Sequence, residues 1–232
     1  MINLSRVFPK EDILKRRIKL HFRRFEFKYL VSSEQKDEII KQIRPFMYLD
    51  PFVTSGSSYL ITSLYLDSPD LTFYRQNEAG LPDRKKIRFR HYDNNQKIVF
   101  KEIKRKHQDV VYKDRVILDG PADSPVEIEI RQLTKLLHLR PTLWIKYNRQ
   151  PWIDPKNNLR ITFDSEINTA DAKSQYDQGT KWFTKILPGY NIMELKFDGK
   201  LPWQIFNIIS RHSLIRESLS KYRLSVEKLR MI

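Results

Sequence analysis

The sequence predicts an α+β fold in which an eight-stranded antiparallel β-barrel encloses a tunnel and helices pack on the outside. Charged residues recur two positions apart in several short runs, so each strand would carry charge on one face and large apolar side chains on the other. The charged faces hold rows of Arg and Lys, whereas solvated faces typically carry Thr, Ser and scattered Lys. A single strand of this kind is usually a solvated antiparallel face, but six together favour a closed or nearly closed barrel.

The runs that carry this pattern extend along most of the chain. Their charged or polar positions are Glu26/Lys28, Lys86/Arg88/Arg90, Glu102/Lys104, Lys113/Arg115, Arg160/Thr162/Asp164/Glu166 and Glu194/Lys196/Asp198. The alternate positions are large and apolar, as in Phe25, Phe27 and Tyr29 of the first run. The apolar faces must be buried against helices, which leaves the charged faces for a water-filled interior that would bind a polyanion.

The first elements predicted are a basic helix at about residues 10–20, which could lie on an anionic surface, and a strand at Arg23–Val31. A helix follows at Ser33–Pro45, with Ser32 or Ser33 as its N-cap. After the turn at Asp67–Asp70, a short helical segment runs to Gly80. The remaining strands are predicted at Tyr59–Leu66, Lys85–Tyr92, Lys97–Lys106, Asp109–Leu118, Thr142–Arg149, Asn158–Ile167 and Asn191–Asp198.

Three later segments complete the prediction. Ser124 as N-cap, Pro125 at the first helical position and Glu127 at the third form a capping box, which predicts a helix to about Leu139 although VEIEI alternates like a strand. A polar stretch covers 168–189, a helix begins near Pro202-Trp203, and a basic tail runs from Arg216 to Arg230.

Composition limits the function classes. The 232 residues contain no linker rich in Gly, Ser or Pro, so we expect one domain over 1–232. The net charge of +15 predicts an acidic partner: nucleic acid, an anionic membrane or a phosphate compound. The absence of cysteine excludes disulfides, thiol catalysis and Cys-ligated metals. Because no apolar leader and no run of about 20 apolar residues is present, we expect a cytoplasmic protein, with association to the inner face of a membrane left open.

Motif searches remove several chemistries. Six glycines form neither GxxxxGK[ST] nor GxGxxG, so side chains would have to hold any phosphate. No GxSxG provides a serine nucleophile, and five isolated histidines form no His-rich metal site. RNA binding is disfavoured because no basic and aromatic stacking motif is visible, so no nucleic-acid partner is expected.

Nine motifs together carry a resemblance to a known family. They are, in order, FEFKYLVS, SLYLDSPDLTFYRQNEAG, RKKIRFRHY, VFKEIKRK, VYKDRV, LWIKYNRQPW, LRITFD, IMELKFDGKLPWQI and LSKYRLS. Over about residues 22–224 the chain resembles the VTC domain of vacuolar transporter chaperones and bacterial polyphosphate polymerases, which belong to the triphosphate tunnel metalloenzymes. The resemblance implies an eight-stranded antiparallel barrel around a charged tunnel.

The resemblance also implies a site. It implies that two groups of basic residues contact phosphate. The catalytic group is Arg88, Arg90, Lys104, Arg149 and Lys221, and the substrate-binding group includes Lys28 and Lys113. We expect Arg115, Arg160 and Lys196 to line the tunnel as further substrate-binding residues. Glu194 resembles the family's metal-binding glutamate, for Mn²⁺ or Mg²⁺, and Glu26 and Glu102 are expected to support the metal, a water or neighbouring lysines.

Some of these assignments have alternatives. Lys196 is equally compatible with a surface position, and Asp164 with an ion pair to Arg160 or a lysine or with a metal contact. Arg149 shares strand parity with Ile145 and Tyr147, which would place it on the apolar face unless a bulge intervenes. The ten basic and three acidic lining residues would give an excess of seven positive charges.

The function expected from the resemblance is a metal-dependent polyphosphate polymerase. It would transfer the terminal phosphoryl group of ATP, or another nucleoside triphosphate, onto phosphate or polyphosphate. Arg24 stands where the wider superfamily usually has the first of two glutamates, which lowers the odds of a simple hydrolase. The alternatives are a tunnel triphosphatase acting on tripolyphosphate or a nucleoside triphosphate, and a non-catalytic receptor for polyphosphate or another polyanion. Triphosphate and pyrophosphate are further candidate ligands, and a membrane-protein partner is left open.

Overall fold

The computed structural model describes residues 24–93, 95–107, 110–172 and 183–232. Its strands are β1 (Arg24–Ser32), β2 (Tyr48–Leu49), β3 (Tyr59–Asp67), β4 (Arg84–Tyr92), β5 (Asn95–His107), β6 (Val110–Ile117), β7 (Arg140–Asp154), β8 (Leu159–Asp171), β9 (Thr184–Lys185) and β10 (Tyr190–Asp198). Its helices are α1 (Ser33–Ile43), α2 (Thr72–Glu78), α3 (Pro125–Leu137), α4 (Trp203–Arg211) and α5 (Lys221–Lys228). The basic helix predicted at residues 10–20 lies outside the described residues.

Eight long strands form one curled antiparallel sheet, which confirms the predicted fold class. Their order is β1-β10-β8-β7-β3-β4-β5-β6, and β2 and β9 pair with β7 and β8. The curl brings the two ends of this order together: Lys104 on β5 lies 3.6 Å from Glu26 on β1. The sheet is therefore a half-barrel whose concave face surrounds a shared interior, and the five helices of the described ranges pack against it.

The convex face buries the apolar positions that the alternating pattern predicted. Tyr29 and Val31 of β1 and Leu195 of β10 join the α1 stripe of Ile39 and Ile43 in one core. A second core packs α3 onto β4 and β5 through Ile87, Ile103 and Ile130. Glu127 on α3 also accepts a hydrogen bond from Lys101 of β5 at 2.6 Å. Helices therefore cover the outside of the sheet, as expected.

The helix caps follow the sequence in part. Ser32 forms a complete capping box with Gln35, because the side-chain oxygen of each residue accepts a hydrogen bond from the backbone N–H of the other. Ser124 accepts from the backbone N–H of Glu127 at 3.2 Å, but the Glu127 carboxylate pairs with Lys101 and does not close the predicted box. The salt bridge to the sheet replaces the reciprocal half of this box.

The ends of β7 and β8 differ from the sequence-based prediction, which also lacked α5 and the short strands β2 and β9. Strand β8 runs to Asp171, into the predicted polar stretch. Strand β7 continues through Pro151 to Asp154. Proline is tolerated there because Pro151 lies between the pairing with β3, which ends at Arg149, and the pairing with β2, which begins at Trp152. Its carbonyl oxygen still accepts from the backbone N–H of Asp50 at 3.0 Å. The segment expected to be a basic tail contains α5, which begins after the N-cap Ser220.

Helix α5 closes one end of the concave face with an apolar cluster. Tyr222 and Val226 pack with Tyr74 of α2 and with Leu143 and Ile145 of β7. The Tyr222 ring also stacks on Tyr65 of β3, with a centroid separation of 5.0 Å and an interplanar angle of 19°. The interior is therefore apolar at this end, and the helix is held inside the curl of the sheet.

Asp67, at the end of β3, anchors this closure. Its carboxylate accepts backbone N–H bonds from Ser68, Phe73 and Tyr74 at 2.8, 2.9 and 3.0 Å, and the Tyr222 hydroxyl donates to it at 2.6 Å. Burial raises the pKa of Asp67, against the effect of these donors. Burial, followed by the Asp67 charge, raises the pKa of Tyr222, so the phenol remains a donor. One carboxylate thus joins β3, α2 and α5.

No helix in the described ranges combines the length and apolarity that a membrane-spanning segment requires.

We predict that Tyr222→Phe lowers the free energy of unfolding by about 1–3 kcal/mol, because it leaves a buried Asp67 oxygen short of one donor while keeping the ring stack. Urea unfolding followed by circular dichroism measures the change. Tyr190→Phe is the control, since Tyr190 is 49% exposed and should change stability by less than about 0.5 kcal/mol. Equal stability of the two variants would show that Asp67 does not hold α5.

Candidate functional site

The concave face collects the basic side chains that the alternating pattern had placed on one side of each strand. Residues on paired strands that lie opposite each other point to the same side, and the register aligns Lys28 with Glu194, Arg88 with Glu102 and Lys104 with Lys113. The structure places all of the sequence-predicted site residues on this face or at its rim. Their roles remain predictions.

Glu102 is the centre of the first charge cluster, which spans β4, β5 and β6. Arg88 approaches one carboxylate oxygen with Nε and Nη2, both at 2.7 Å. Lys113 Nζ lies 2.7 Å from the other oxygen, Oε1, and Arg90 Nη1 lies 3.8 Å from Oε2, the oxygen that Arg88 contacts. Burial alone would raise the pKa of Glu102, but Arg88, Arg90 and Lys113 hold it well below its usual range. Glu102 is therefore ionised and orients three cations.

Asp164 is the centre of the second cluster and was not among the predicted site residues. Arg149 binds its two oxygens bidentately, with Nε and Nη2 at 2.7 Å each, and Lys221 Nζ from α5 lies 2.5 Å away. Burial opposes the charge, yet Arg149 and Lys221 keep the pKa of Asp164 below its usual value. Arg160, the arginine considered as its partner, instead lies 3.1 Å from Asp50.

Arg149 reaches this cluster without a bulge between it and Ile145 in β7. The β3–β7 register runs unbroken from Leu143 to Arg149, and the irregularity between β7 and β8 coincides with Glu166 of β8, which has a φ of +50°. Arg149 does share a face with Ile145 and Tyr147, but that face is the interior. The parity argument was wrong on one point, because the concave face itself becomes apolar next to α5.

Tyr147 is a site residue that sequence reasoning missed. Arg90 Nη2 donates to its hydroxyl at 3.3 Å, and its ring lies 4.8 Å from Lys221 Nζ and 5.5 Å from the guanidinium carbon of Arg149. Tyr65 acts similarly for Arg88, whose Nη1 donates to the Tyr65 hydroxyl at 2.8 Å. Two tyrosines thus fix the arginines in place without neutralising them.

The third cluster lies between β1, β5 and β10. Glu26 is 3.3 Å from Lys28, 3.6 Å from Lys104 and 3.8 Å from Lys196. Burial and the nearby charge of Glu194 raise the pKa of Glu26, but the three lysines lower it further than those effects raise it. Lys196 also lies 2.6 Å from Glu194, so it bridges two carboxylates and belongs to the interior.

The surroundings of Glu194 fit a hard divalent cation. Across the β8–β10 pairing, Glu194 faces Thr162. The Thr162 hydroxyl is buried and finds no hydrogen-bond partner in the described part of the chain. A carboxylate beside an unsatisfied hydroxyl offers the oxygen ligands that Mg²⁺ and Mn²⁺ prefer. Within the described ranges no group of three His, Asp or Glu forms a metal site, so phosphate oxygens and water would complete the coordination.

Lys86 is a further interior cation that was not assigned to the site. Its Nζ donates to Asn77 Oδ1 at 3.1 Å and to Ser220 Oγ at 2.7 Å, both of which are neutral. Burial, followed by the charges of Lys28 and Lys104, lowers the pKa of Lys86 well below its usual value. Burial also lowers the pKa of Lys104, and it lowers that of Lys113 to about 8. Burial is the main cause in all three lysines, and neighbouring cations add to it.

The interior therefore carries surplus positive charge. Among the described residues, four acidic side chains (Glu26, Glu102, Asp164, Glu194) face nine basic ones, an excess of five positive charges. The nine are Lys28, Lys86, Arg88, Arg90, Lys104, Lys113, Arg149, Lys196 and Lys221. Arg115 and Arg160 lie further out, Arg115 with its guanidinium carbon 4.7 Å from the Phe100 ring centroid. A compact anion with several negative charges is the ligand that this arrangement favours.

Comparison with solved structures supports the fold. A protein named PH1819 from Pyrococcus horikoshii OT3 is 15% identical, with 88% of this chain and 99% of that chain covered and a TM-score of 0.50. A Bacillus halodurans protein described provisionally as an adenylate cyclase is 14% identical, with 84% and 92% covered and a TM-score of 0.50. At this identity the likeness shows the fold alone. The search of curated proteins found no match.

The family model of the VTC domain matches residues 23–230, nearly the whole chain. This range contains every strand, every helix and every charged residue of the concave face described above. Helices outside a curled antiparallel sheet and an interior rich in Arg and Lys agree with the tunnel fold expected for that family. The chain belongs to the VTC domain family, a family of tunnel-type enzymes.

Proposed function

We propose that the protein is a polyphosphate polymerase, which transfers the terminal phosphoryl group of ATP onto phosphate or a growing polyphosphate chain. The observation that carries the proposal is the surplus of five basic side chains over acidic ones on one partly buried concave face. Because like charges in a partly desolvated interior repel one another, a polyanionic ligand would stabilise this face strongly. Triphosphate and polyphosphate combine high charge density with a narrow, flexible shape.

The arginines would hold the phosphates. Arg88, Arg90 and Arg149 each present a planar fork, and contacts to Glu102, Asp164 and the two tyrosines fix their orientation before substrate arrives. Such preorganised donors stabilise the charge that spreads over the transferred phosphoryl group. Lys28 is oriented by the carbonyl oxygen of Leu219 at 3.0 Å and adds a compact charge.

The metal would sit at Glu194, with Thr162 beside it. When bound there, Mg²⁺ or Mn²⁺ would withdraw charge from the phosphates and help to align the reacting groups. An oxygen of the acceptor phosphate attacks the terminal phosphorus of ATP, the bond from that phosphorus to the bridging oxygen breaks, and ADP leaves. The acceptor is already an anion, so the protein has no need to remove a proton from it.

Transfer to phosphate fits the interior better than hydrolysis does. A hydrolase benefits from a carboxylate that takes a proton from water, and such a base works best with a pKa near neutrality. The carboxylates of Glu26, Glu102 and Asp164 are paired with cations that lower their pKa, which makes each a weak base. The tunnel triphosphatase therefore ranks second, and the non-catalytic polyphosphate receptor third.

We predict that Glu194→Gln reduces polyphosphate synthesis from ATP by about 100-fold or more. The neutral amide binds a divalent cation poorly, and the metal would no longer stabilise the negative charge of the transferred phosphoryl group. The variant should still bind tripolyphosphate. Synthesis is measured by gel electrophoresis of the polyphosphate product and by ADP release with Mn²⁺ or Mg²⁺.

Glu127→Gln is the matched control for this variant. Glu127 also pairs with a lysine, Lys101 at 2.6 Å, but on the convex side of the sheet. Its variant should make polyphosphate at the wild-type rate. Full activity of Glu194→Gln, or an equal loss in both variants, would show that Glu194 is not the metal ligand.

We predict that tripolyphosphate binding weakens as the pH rises through about 8, because Lys113 has a pKa lowered to about 8 and loses its charge there. The protonated lysine binds phosphate, so affinity is highest below this pKa and falls above it. A single group of this kind contributes up to about a tenfold loss between pH 7 and pH 9.

The variant Lys113→Arg isolates this contribution, since arginine stays charged throughout the range. Calorimetric titrations at pH 7, 8 and 9 should show a smaller pH effect in Lys113→Arg than in the wild type, while Lys101→Arg on the convex face leaves it unchanged. An identical pH dependence in all three proteins would exclude Lys113 from phosphate binding.

A further inference from the structure

An aromatic cluster lies at the end of the concave face opposite α5. Phe52 meets Tyr59 and Tyr92 edge to face, with ring centroids 5.5 and 5.8 Å apart. Tyr59 and Tyr92 are 5.9 Å apart, and Tyr92 lies 6.1 Å from Phe100. Phe52 remains 47% exposed, whereas Tyr59 is buried. The cluster therefore presents an aromatic surface to solvent at this mouth of the interior.

This cluster is continuous with the cations of the interior. Tyr59 is paired with Arg149 across β3 and β7, and Phe100 is paired with Arg90 across β4 and β5, so each ring shares a face with an arginine. Tyr92 follows Arg90 by two residues, a step of about 7 Å along the strand on the same side. The Arg90 guanidinium carbon is 6.0 Å from the Tyr92 ring centroid. A ligand that fills the charged interior and extends outward would meet these rings next.

The segment that carries Phe52 is fixed to the mouth by one carboxylate. Asp50 accepts the backbone N–H of Phe52 at 3.0 Å, and its other oxygen lies 3.1 Å from Arg160 of β8. On the far side of the cluster, the Arg115 guanidinium stacks over Phe100. The aromatic surface is therefore held in place and flanked by two arginines.

We propose that Phe52, with Tyr59 and Tyr92 behind it, is the subsite for the nucleobase of a nucleoside triphosphate. This inference rests on the proposed function, which requires a nucleotide as phosphoryl donor. Nucleobases stack on aromatic side chains, and stacking discriminates little between bases because each has a π-face. The nucleotide would then lie with its base at the aromatic mouth and its phosphates among Arg90, Arg88 and the deeper cations. Donor nucleotides with different bases should bind with similar affinity.

The test compares ATP with inorganic tripolyphosphate, which carries the phosphates and lacks the base. Dissociation constants are measured by calorimetry without divalent metal, so that no turnover occurs. Phe52→Ala should weaken ATP binding about tenfold and leave tripolyphosphate binding unchanged. Phe52→Trp should retain ATP binding, and its indole fluorescence should respond to ATP and not to tripolyphosphate.

Phe206→Ala is the matched control, because Phe206 is 61% exposed on α4 and outside the aromatic cluster. It should bind both ligands as the wild type does. Phe52→Leu keeps an apolar side chain of similar size but lacks the aromatic ring. It should therefore fold normally and lose ATP affinity, even if the alanine variant folds poorly. Equal losses for ATP and tripolyphosphate, or no loss for either, would overturn the subsite.

The subsite and the proposed function fail in different ways. If the wild type binds ATP more tightly than tripolyphosphate through Phe52 but makes no polyphosphate, the subsite stands and the polymerase fails. If the protein makes polyphosphate while Phe52→Ala binds ATP normally, the polymerase stands and the subsite is wrong. If the wild type binds neither ligand, both are wrong.

Discussion

Surplus positive charge on a partly buried concave face is the constraint on which the rest of this molecule depends. Burying a charge is costly unless a partner and hydrogen bonds compensate, so Glu26, Glu102 and Asp164 each have two or three cations, and Glu194 has Lys196. Glu102 joins β4, β5 and β6, Asp164 joins β7, β8 and α5, and Glu26 joins β1, β5 and β10. The carboxylates thus brace the curl of the sheet, but they are too few to neutralise it. In the proposed function, a polyanionic ligand would supply the missing negative charge.

The interior is also asymmetric along its length. At one end α5 and α2 fill it with Tyr222, Val226 and Tyr74, secured through Asp67. At the other end, Tyr59 lies opposite Arg149 and contacts the exposed ring of Phe52, in the loop between β2 and β3. Between these ends lie the cations of the three clusters, and Glu194 is paired with Thr162 across β10 and β8. In the proposed function, this asymmetry would give a bound nucleotide a preferred direction, with the base outside and the terminal phosphate inside.

Much of the fold could be predicted from the sequence because strand parity is a local property. The spacing of Arg88 and Arg90, or of Glu194 and Lys196, assigns each side chain to a face without knowledge of its neighbours. The apolar alternates then required helices outside, and the structure has them. The two tyrosines Tyr65 and Tyr147 were missed because parity alone cannot distinguish an apolar exterior from an interior that becomes apolar near α5.

The pairings within the site depend on long-range contacts, which the sequence does not specify. Arg149 finds Asp164 through the β7–β8 register, and Lys221 reaches the same carboxylate only because α5 folds back into the sheet. Arg160 pairs with Asp50, which lies in the loop between β2 and β3, and not with Asp164. Lys86 had the right parity, and its confinement between Asn77 and Ser220 became visible only in three dimensions. The family resemblance identified Arg149 where parity had argued against it.

The most direct test of the central claim is ³¹P nuclear magnetic resonance of the purified protein incubated with ATP and Mn²⁺ or Mg²⁺. If the positive interior aligns an acceptor phosphate with the terminal phosphate of ATP, resonances of internal polyphosphate groups should grow as ADP appears. Formation of ADP and orthophosphate without internal phosphate resonances would contradict this account and identify a triphosphatase. Tight binding of polyphosphate without any turnover would identify a receptor instead.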